Sequence, residues 1–84
     1  MSAKTILHVE DNELNREIVR DLLRRTSYRV IEAVDGEAGI AMAHEQHPDL
    51  ILMDVQLPKV SGIDAMRALR QAPGTAHTPI IAIT

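Results

Sequence analysis

The sequence predicts an α/β domain with a doubly wound parallel sheet, and three observations carry this prediction. Short aliphatic or β-branched runs alternate with segments of helical periodicity, a pattern typical of βαβ units. The run "LILM" lacks polar alternation, as expected of a central strand covered on both faces. The run "YRVIEA" does alternate and is expected at an edge. Right-handed crossovers then give four parallel strands in the order 2-1-3-4.

The first helix has the clearest pattern of the predicted elements. The strands are expected at "TILHV", "YRVIEA", "LILMD" and "PIIAIT". After the first strand, Asn12 can cap a helix in which Leu14, Ile18 and Leu22 recur every four residues. Acidic residues precede arginines along this helix, as the macrodipole prefers. We interpret that charge run as a solvated face.

The second and third helices are marked by their ends. The second is expected over about residues 36–47, and it is weak because Gly39 interrupts it and its apolar residues are small. The third begins at "SGID", where Ser61 and Asp64 are spaced as a capping box, and it ends at Pro73–Gly74.

The composition limits the class of protein. A chain of 84 residues is expected to form one domain spanning residues 1–84. With no cysteine there is neither a disulfide framework nor a thiolate metal site. A net charge of −3 and a single aromatic residue, a tyrosine, argue against direct binding of nucleic acid. We find neither a signal peptide nor a membrane-spanning run, so we expect a cytoplasmic protein without membrane contact.

Three acidic residues end two neighbouring strands of the predicted sheet. Glu10 and Asp11 follow the first strand, and Asp54 ends the third. In open α/β sheets, ligands bind beyond the carboxyl ends of the strands where the strand order reverses. Carboxylates at 4–5 Å repel by about 3–4 kcal/mol per pair at an effective dielectric near 20, so they share protons or hold a cation. Hard oxygen ligands suit Mg²⁺. The alternative is that two acids cap the first helix while the third only ends a strand.

Several motifs, taken in order, resemble one family. "ILHVEDNELN", "DG", "PDLILMDVQLPKVSG" and "PIIAIT" together resemble the receiver domain of bacterial two-component response regulators, from Lys4 to the end of the chain. The resemblance implies a flavodoxin-like fold and a phosphoprotein that takes a phosphoryl group from a sensor histidine kinase or a histidine phosphotransfer protein. It implies no separate enzyme, and at most self-phosphorylation from a phosphodonor and autodephosphorylation.

The resemblance also implies roles for five residues. Asp54 corresponds to the phosphoacceptor, and Asp11 with Asp54 to direct Mg²⁺ ligands. Glu10 would act on the metal through water, and the backbone carbonyl of Gln56 would complete the protein ligands. Thr84 corresponds to the switch hydroxyl that contacts the phosphoryl group.

Other positions in and near these motifs carry less chemistry. Pro58 and Gly62 match the loop that follows the acceptor strand, where they shape the turn. His8 occupies a strand position that is usually aliphatic in the family, and we interpret it as a neutral core histidine. His44 and His47 are three residues apart with no further ligand, so we expect a surface pair there and no metal site.

The resemblance ends before the family's fourth helix, fifth strand and fifth helix. Without the lysine of that fifth strand, phosphorylation is expected to be impaired. The edge of "PIIAIT" and the apolar stripe of the first helix are expected to be exposed, which favours self-association. The main alternative is therefore a truncated receiver-like module for interaction or self-association, without phosphotransfer.

Two enzyme classes fit the sequence less well. Flavin proteins of the flavodoxin type place a phosphate-cradling loop after strand 1, where this chain has the acidic "EDNELN". Phosphatases of the haloacid dehalogenase type carry two aspartates flanking one residue, whereas this chain reads Asp54-Val55-Gln56.

Overall fold

A computed structural model describes residues 3–83. Strands and helices alternate along the chain, as the sequence predicts. The elements are β1 (Thr5–Val9), α1 (Glu13–Leu23), β2 (Arg29–Ala33), α2 (Gly36–Gln46), β3 (Leu50–Asp54), α3 (Gly62–Gln71) and β4 (Ile80–Ile83). No helix in this part of the chain is long and apolar enough to cross a membrane.

The four strands form one parallel sheet in the order β2-β1-β3-β4, which confirms the predicted topology. β1 and β3 are the inner strands, and β2 lies at an edge as expected. In the register, Val9 pairs with Met53, so β1 and β3 end at the same edge of the sheet. This register places the residues that follow the two strands side by side.

The main core lies between the sheet and the helices α2 and α3. Leu7, Val9, Ile51 and Met53 project to this face and are fully buried. Gly39 lets α2 approach β1 closely, because a Cβ there would lie 2.8 Å from a methyl group of Val9. The glycine that weakens the helix locally therefore serves its packing, and α2 is continuous across it.

The opposite face of the sheet is only partly covered, which corrects the expectation for β3. Leu50 and Leu52 are half-buried, whereas their neighbours Ile51 and Met53 are fully buried. The helix on this face is α1, which has no buried residue and packs mainly against β2. The lack of polar alternation in β3 therefore predicted that both faces of this strand are covered, whereas residues 3–83 cover the second face only in part.

Helix α1 begins as predicted but is held to the sheet by polar contacts. The Asn12 side chain accepts a hydrogen bond from the Asn15 N–H at 3.0 Å. Arg20 donates two hydrogen bonds to the Glu32 carboxylate, at 3.0 and 2.8 Å, and Arg16 donates one to the Glu10 carbonyl. These two arginines therefore reach the sheet, although Arg20 is exposed, as the interpretation of the charge run as a solvated face predicts.

The apolar stripe of α1 is exposed, as the sequence predicts. Leu14, Ile18 and Leu22 are 63%, 48% and 73% exposed. Near the far edge of the sheet, Ile81 of β4 is 52% exposed.

Candidate functional site

Three carboxylates meet where β1 and β3 end. Glu10 and Asp11 follow β1, Asp54 ends β3, and one oxygen from each residue lies within 4.8 Å of the other two. Glu10 is 6% exposed, Asp54 is half-buried and Asp11 is exposed. The structure thus brings together the three acids that the sequence placed at one edge.

Backbone groups hold two of these carboxylates in place. The N–H of Asn12 donates to Glu10 Oε2 at 3.2 Å, and the N–H of Gln56 donates to Asp54 Oδ1 at 2.9 Å. Within residues 3–83, no Lys, Arg or His side chain forms an ion pair with any of the three acids. The negative charge of the cluster is therefore not neutralised by a protein cation in this part of the chain.

The crowding of the three carboxyl groups affects the pKa of Glu10. Burial raises the pKa of this carboxyl, and the neighbouring Asp54 and Asp11 raise it further, while the Asn12 N–H acts in the opposite direction. Crowded carboxylates of this kind either share a proton or bind a cation.

The donor set fits a hard divalent cation. Carboxylate oxygens that are close together and unpaired are the ligands that Mg²⁺ prefers, and Mg²⁺ usually keeps several waters. A cavity of about 340 Å³ adjoins the cluster and is lined in part by Glu10, Asp54 and Gln56. It leaves room for water beside the carboxylates.

Gly62 sets the path of the loop behind Asp54. The N–H of Gly62 donates to the Val55 carbonyl at 3.3 Å. A Cβ at Gly62 would collide with the Asp54 carbonyl oxygen and lie 2.7 Å from the Val55 Cα. The start of α3 therefore passes against the backbone of β3 at the candidate acceptor residue, and Ser61 caps α3 by accepting from the Asp64 N–H. The glycine predicted to shape this turn does so through close contact.

His8 lies nearer to the site than the sequence interpretation assumed. It is 1% exposed, and burial lowers its pKa, with Arg16 acting in the same direction and Glu32 and Asp54 opposing. His8 is also one of the residues that line the cavity beside Glu10 and Asp54. The period of two along a strand indicated only a face shared with Glu10, and not how near His8 lies to the carboxylates.

Thr84 lies outside the described residues. Among residues 3–83, the acidic cluster is the single group of three or more potential metal-ligating side chains, and it does not include His44 or His47.

Comparison with known proteins identifies the family. Residues 6–84 match the profile described as the response regulator receiver domain. The polar-differentiation response regulator DivK of Brucella ovis is 44% identical over 81 residues, covering 96% of this chain and 66% of that protein. The chain belongs to the response regulator receiver domain family.

Solved structures agree with this assignment. The receiver domain of the sensor histidine kinase PA1611 from Pseudomonas aeruginosa, described with a magnesium ion in its active site cleft, matches with a TM-score of 0.93 and 39% identity. That match covers 98% of this chain and 67% of the other. The N-terminal domain of a response regulator receiver protein from Methanoculleus marisnigri matches with a TM-score of 0.92 and 29% identity, covering 95% and 65%. This chain spans about 66% of the length of the curated relatives it matches.

Proposed function

We propose that this chain is a phosphoacceptor receiver domain in which Asp54 takes a phosphoryl group in the presence of Mg²⁺. The observation that carries the proposal is the convergence of Glu10, Asp11 and Asp54 in a chain of the receiver family. The chain would act as a signalling partner in the cytoplasm and not as a separate enzyme, and its receiver domain would comprise residues 1–84.

The arrangement of Asp54 suits nucleophilic attack. Its Oδ1 is occupied by the Gln56 N–H, whereas its Oδ2 accepts no hydrogen bond from residues 3–83. In the proposed step, a carboxylate oxygen of Asp54 forms a bond to phosphorus as the phosphorus–nitrogen bond of a donor phosphohistidine breaks. The donor ring leaves as an imidazolate with the electron pair of the broken bond and takes up a proton from solvent. The product is an aspartyl phosphate.

Four residues would hold the cation. Asp11 and Asp54 would bind Mg²⁺ directly, Glu10 through water, and Gln56 through its backbone carbonyl. Bound Mg²⁺ would neutralise charge on the transferring phosphoryl group. The magnesium ion described for the PA1611 receiver domain, 39% identical to this chain, supports this assignment. Thr84 would contact a phosphoryl oxygen as the switch hydroxyl.

The partner would be a sensor histidine kinase or a histidine phosphotransfer protein. The support is the family, since the matched relatives are named response regulators.

The acceptor can be tested with a small phosphodonor. Incubation with Mg²⁺ and acetyl phosphate should add one phosphoryl group, measured by intact mass spectrometry, and EDTA should prevent the addition. Asp54→Asn should abolish it, whereas Asp49→Asn, at the other end of β3, should leave it unchanged. Addition that persists in Asp54→Asn would contradict the proposal.

A second candidate function is self-association through the edge of β4 and the exposed stripe of α1. The N–H of Ile51 donates a hydrogen bond to the Pro79 carbonyl, and the N–H of Val55 donates one to the Ile83 carbonyl. By the alternation of a parallel ladder, Ile80 and Ala82 direct their backbone groups away from β3. A second copy could pair there about a two-fold axis, using the same residues on both chains. Mg²⁺ titration separates the two functions, because a docking module without phosphotransfer should not respond to the cation.

A further inference from the structure

His8 is a polar residue in an otherwise apolar stretch of β1. Glu10 follows two residues further along, and both residues line the same cavity. His8 is 1% exposed, yet it is one of the residues that line the cavity of about 340 Å³, together with Glu10, Asp54 and Gln56.

The imidazole lacks a hydrogen-bond partner in the described part of the chain. Its Nδ1 is buried, and no side-chain or backbone group of residues 3–83 bonds to it. Buried polar atoms in native proteins are nearly always paired with protein groups, water or a ligand. A water that reached the ring from the cavity, through a small shift of the side chains around it, would remove this deficit.

The neighbouring polar groups are already engaged elsewhere. Glu32 pairs with His8 in the register, but both of its carboxylate oxygens accept from Arg20. Arg16 donates to the Glu10 carbonyl. On the other side, the register partner is the apolar Leu52. The cavity beside His8 has room for several waters and carboxylates to hold them.

We propose that His8 is a positioning residue of the cation site, whose imidazole hydrogen-bonds a water in the cavity that also contacts the carboxylates of Glu10 and Asp54. This inference rests on the proposed function and adds a group from this chain's own β1 to it. The bound water would orient the carboxylates toward the cation, as outer-sphere groups do in other metal sites. His8 would therefore strengthen Mg²⁺ binding without touching the ion.

A substitution of His8 can distinguish a positioning role from a purely structural one, because the two roles predict different effects on Mg²⁺ affinity. His8→Leu fills a similar volume without a polar atom. If His8 only fills the core, this change leaves Mg²⁺ affinity unaltered and raises stability. We expect instead that affinity, measured by calorimetry with MgCl₂, falls about tenfold, the lower end of typical outer-sphere effects, while stability does not fall. His8→Gln should recover part of the affinity.

The matched control is Ile83→Val, which changes an apolar residue of the same cavity. We expect no change in its Mg²⁺ affinity. A wild-type chain that binds Mg²⁺ no better than His8→Leu overturns this inference alone. A folded wild-type chain that binds no Mg²⁺ overturns both this inference and the proposed function.

Nuclear magnetic resonance can test the role of His8 in the unmodified chain, so the test does not depend on whether a variant folds. With ¹⁵N-labelled histidine, the ring resonances of His8 should shift during an MgCl₂ titration. His44, His47 and His77 do not line the cavity and provide internal references that should stay constant. Ring resonances of His8 that do not move while Mg²⁺ binds would overturn the proposal.

Discussion

The guanidinium of Arg20 donates two hydrogen bonds to the carboxylate of Glu32, at 3.0 and 2.8 Å, and so connects α1 to the edge strand β2. Helix α1 has no buried residue. This ion pair and the hydrogen bond from Arg16 to the Glu10 carbonyl therefore help to hold α1 against the sheet. The side chain of Glu32 is 22% exposed, so this pair is better shielded from solvent than the other ion pairs among residues 3–83.

Removing this pair should lower stability in a pH-dependent way. The pKa of Glu32 is lowered mainly by the hydrogen bonds that its carboxylate accepts from Arg20. The stabilisation is therefore present above the usual carboxyl pKa of 4.5 and is lost as the pH falls through the lowered pKa of the folded state. Arg20→Gln should lower the midpoint of urea denaturation at neutral pH, and the difference from wild type should shrink in acid.

The control for that experiment is Arg24→Gln. Arg24 pairs with Asp21 at 2.8 Å within the same helix, but both side chains are exposed, so little change is expected. Equal effects of the two substitutions would show that the Arg20–Glu32 pair has no special role.

The acidic cluster should reduce stability in the absence of a cation. Asp54→Asn keeps the shape of the side chain and removes one of three close charges. Because Asp11 is exposed and Asp54 is half-buried, solvent and salt screen much of the repulsion, so we expect stability in EDTA to rise by on the order of 1 kcal/mol. Mg²⁺ should stabilise the wild type, by about 2.7 kcal/mol at a hundred times its dissociation constant, and should affect the variant much less. Thermal denaturation with and without MgCl₂ measures both effects. An equal response of the two proteins to Mg²⁺ would contradict this prediction.

Gly62 should tolerate no side chain. The Cβ of Gly62→Ala would meet backbone atoms of Asp54 and Val55, which cannot rotate away, so we expect a loss of about 2–3 kcal/mol and altered cation binding. Gly74→Ala is the control, because its nearest atom would be 3.6 Å away, on the side chain of His47. Urea denaturation should show that variant within about 0.5 kcal/mol of wild type. A stable Gly62→Ala protein would mean that the loop follows another path.

Self-association should depend on the β4 edge. Ile81→Lys adds charge beside that edge and should shift the 84-residue chain toward monomer in sedimentation velocity runs at high concentration. Ile63→Lys is the matched control, since Ile63 is 53% exposed, like Ile81 at 52%, but belongs to α3 and to neither β4 nor α1. A wild-type chain that is folded and monomeric at high concentration would rule out this second function.

Much of the fold follows from local patterns that can be recognised in the sequence. Asn12, Ser61 and the strand-like runs mark where elements begin, because capping and side-chain periodicity are local properties. The handedness of parallel connections then leaves few possible sheet orders. The approximate meeting of Glu10 and Asp54 follows as well, since parallel inner strands end at one edge.

The contacts around the site could not be predicted in this way. The sequence placed His8 in the core but did not indicate that its ring borders the carboxylates' cavity. It indicated a solvated face for the charged residues of α1 but not that Arg20 reaches Glu32. Both features depend on side-chain reach between separate elements, which periodicity does not specify.

The sequence by itself determined the order of strands and helices, their caps and the edge at which the acids gather, because these depend on local propensity and connection handedness. Only the tertiary structure decided how closely the carboxylates approach, that Gly62 passes against the Asp54 backbone, and that one sheet face is only partly covered. These features depend on distances between residues remote in the chain, which are set by packing the elements together.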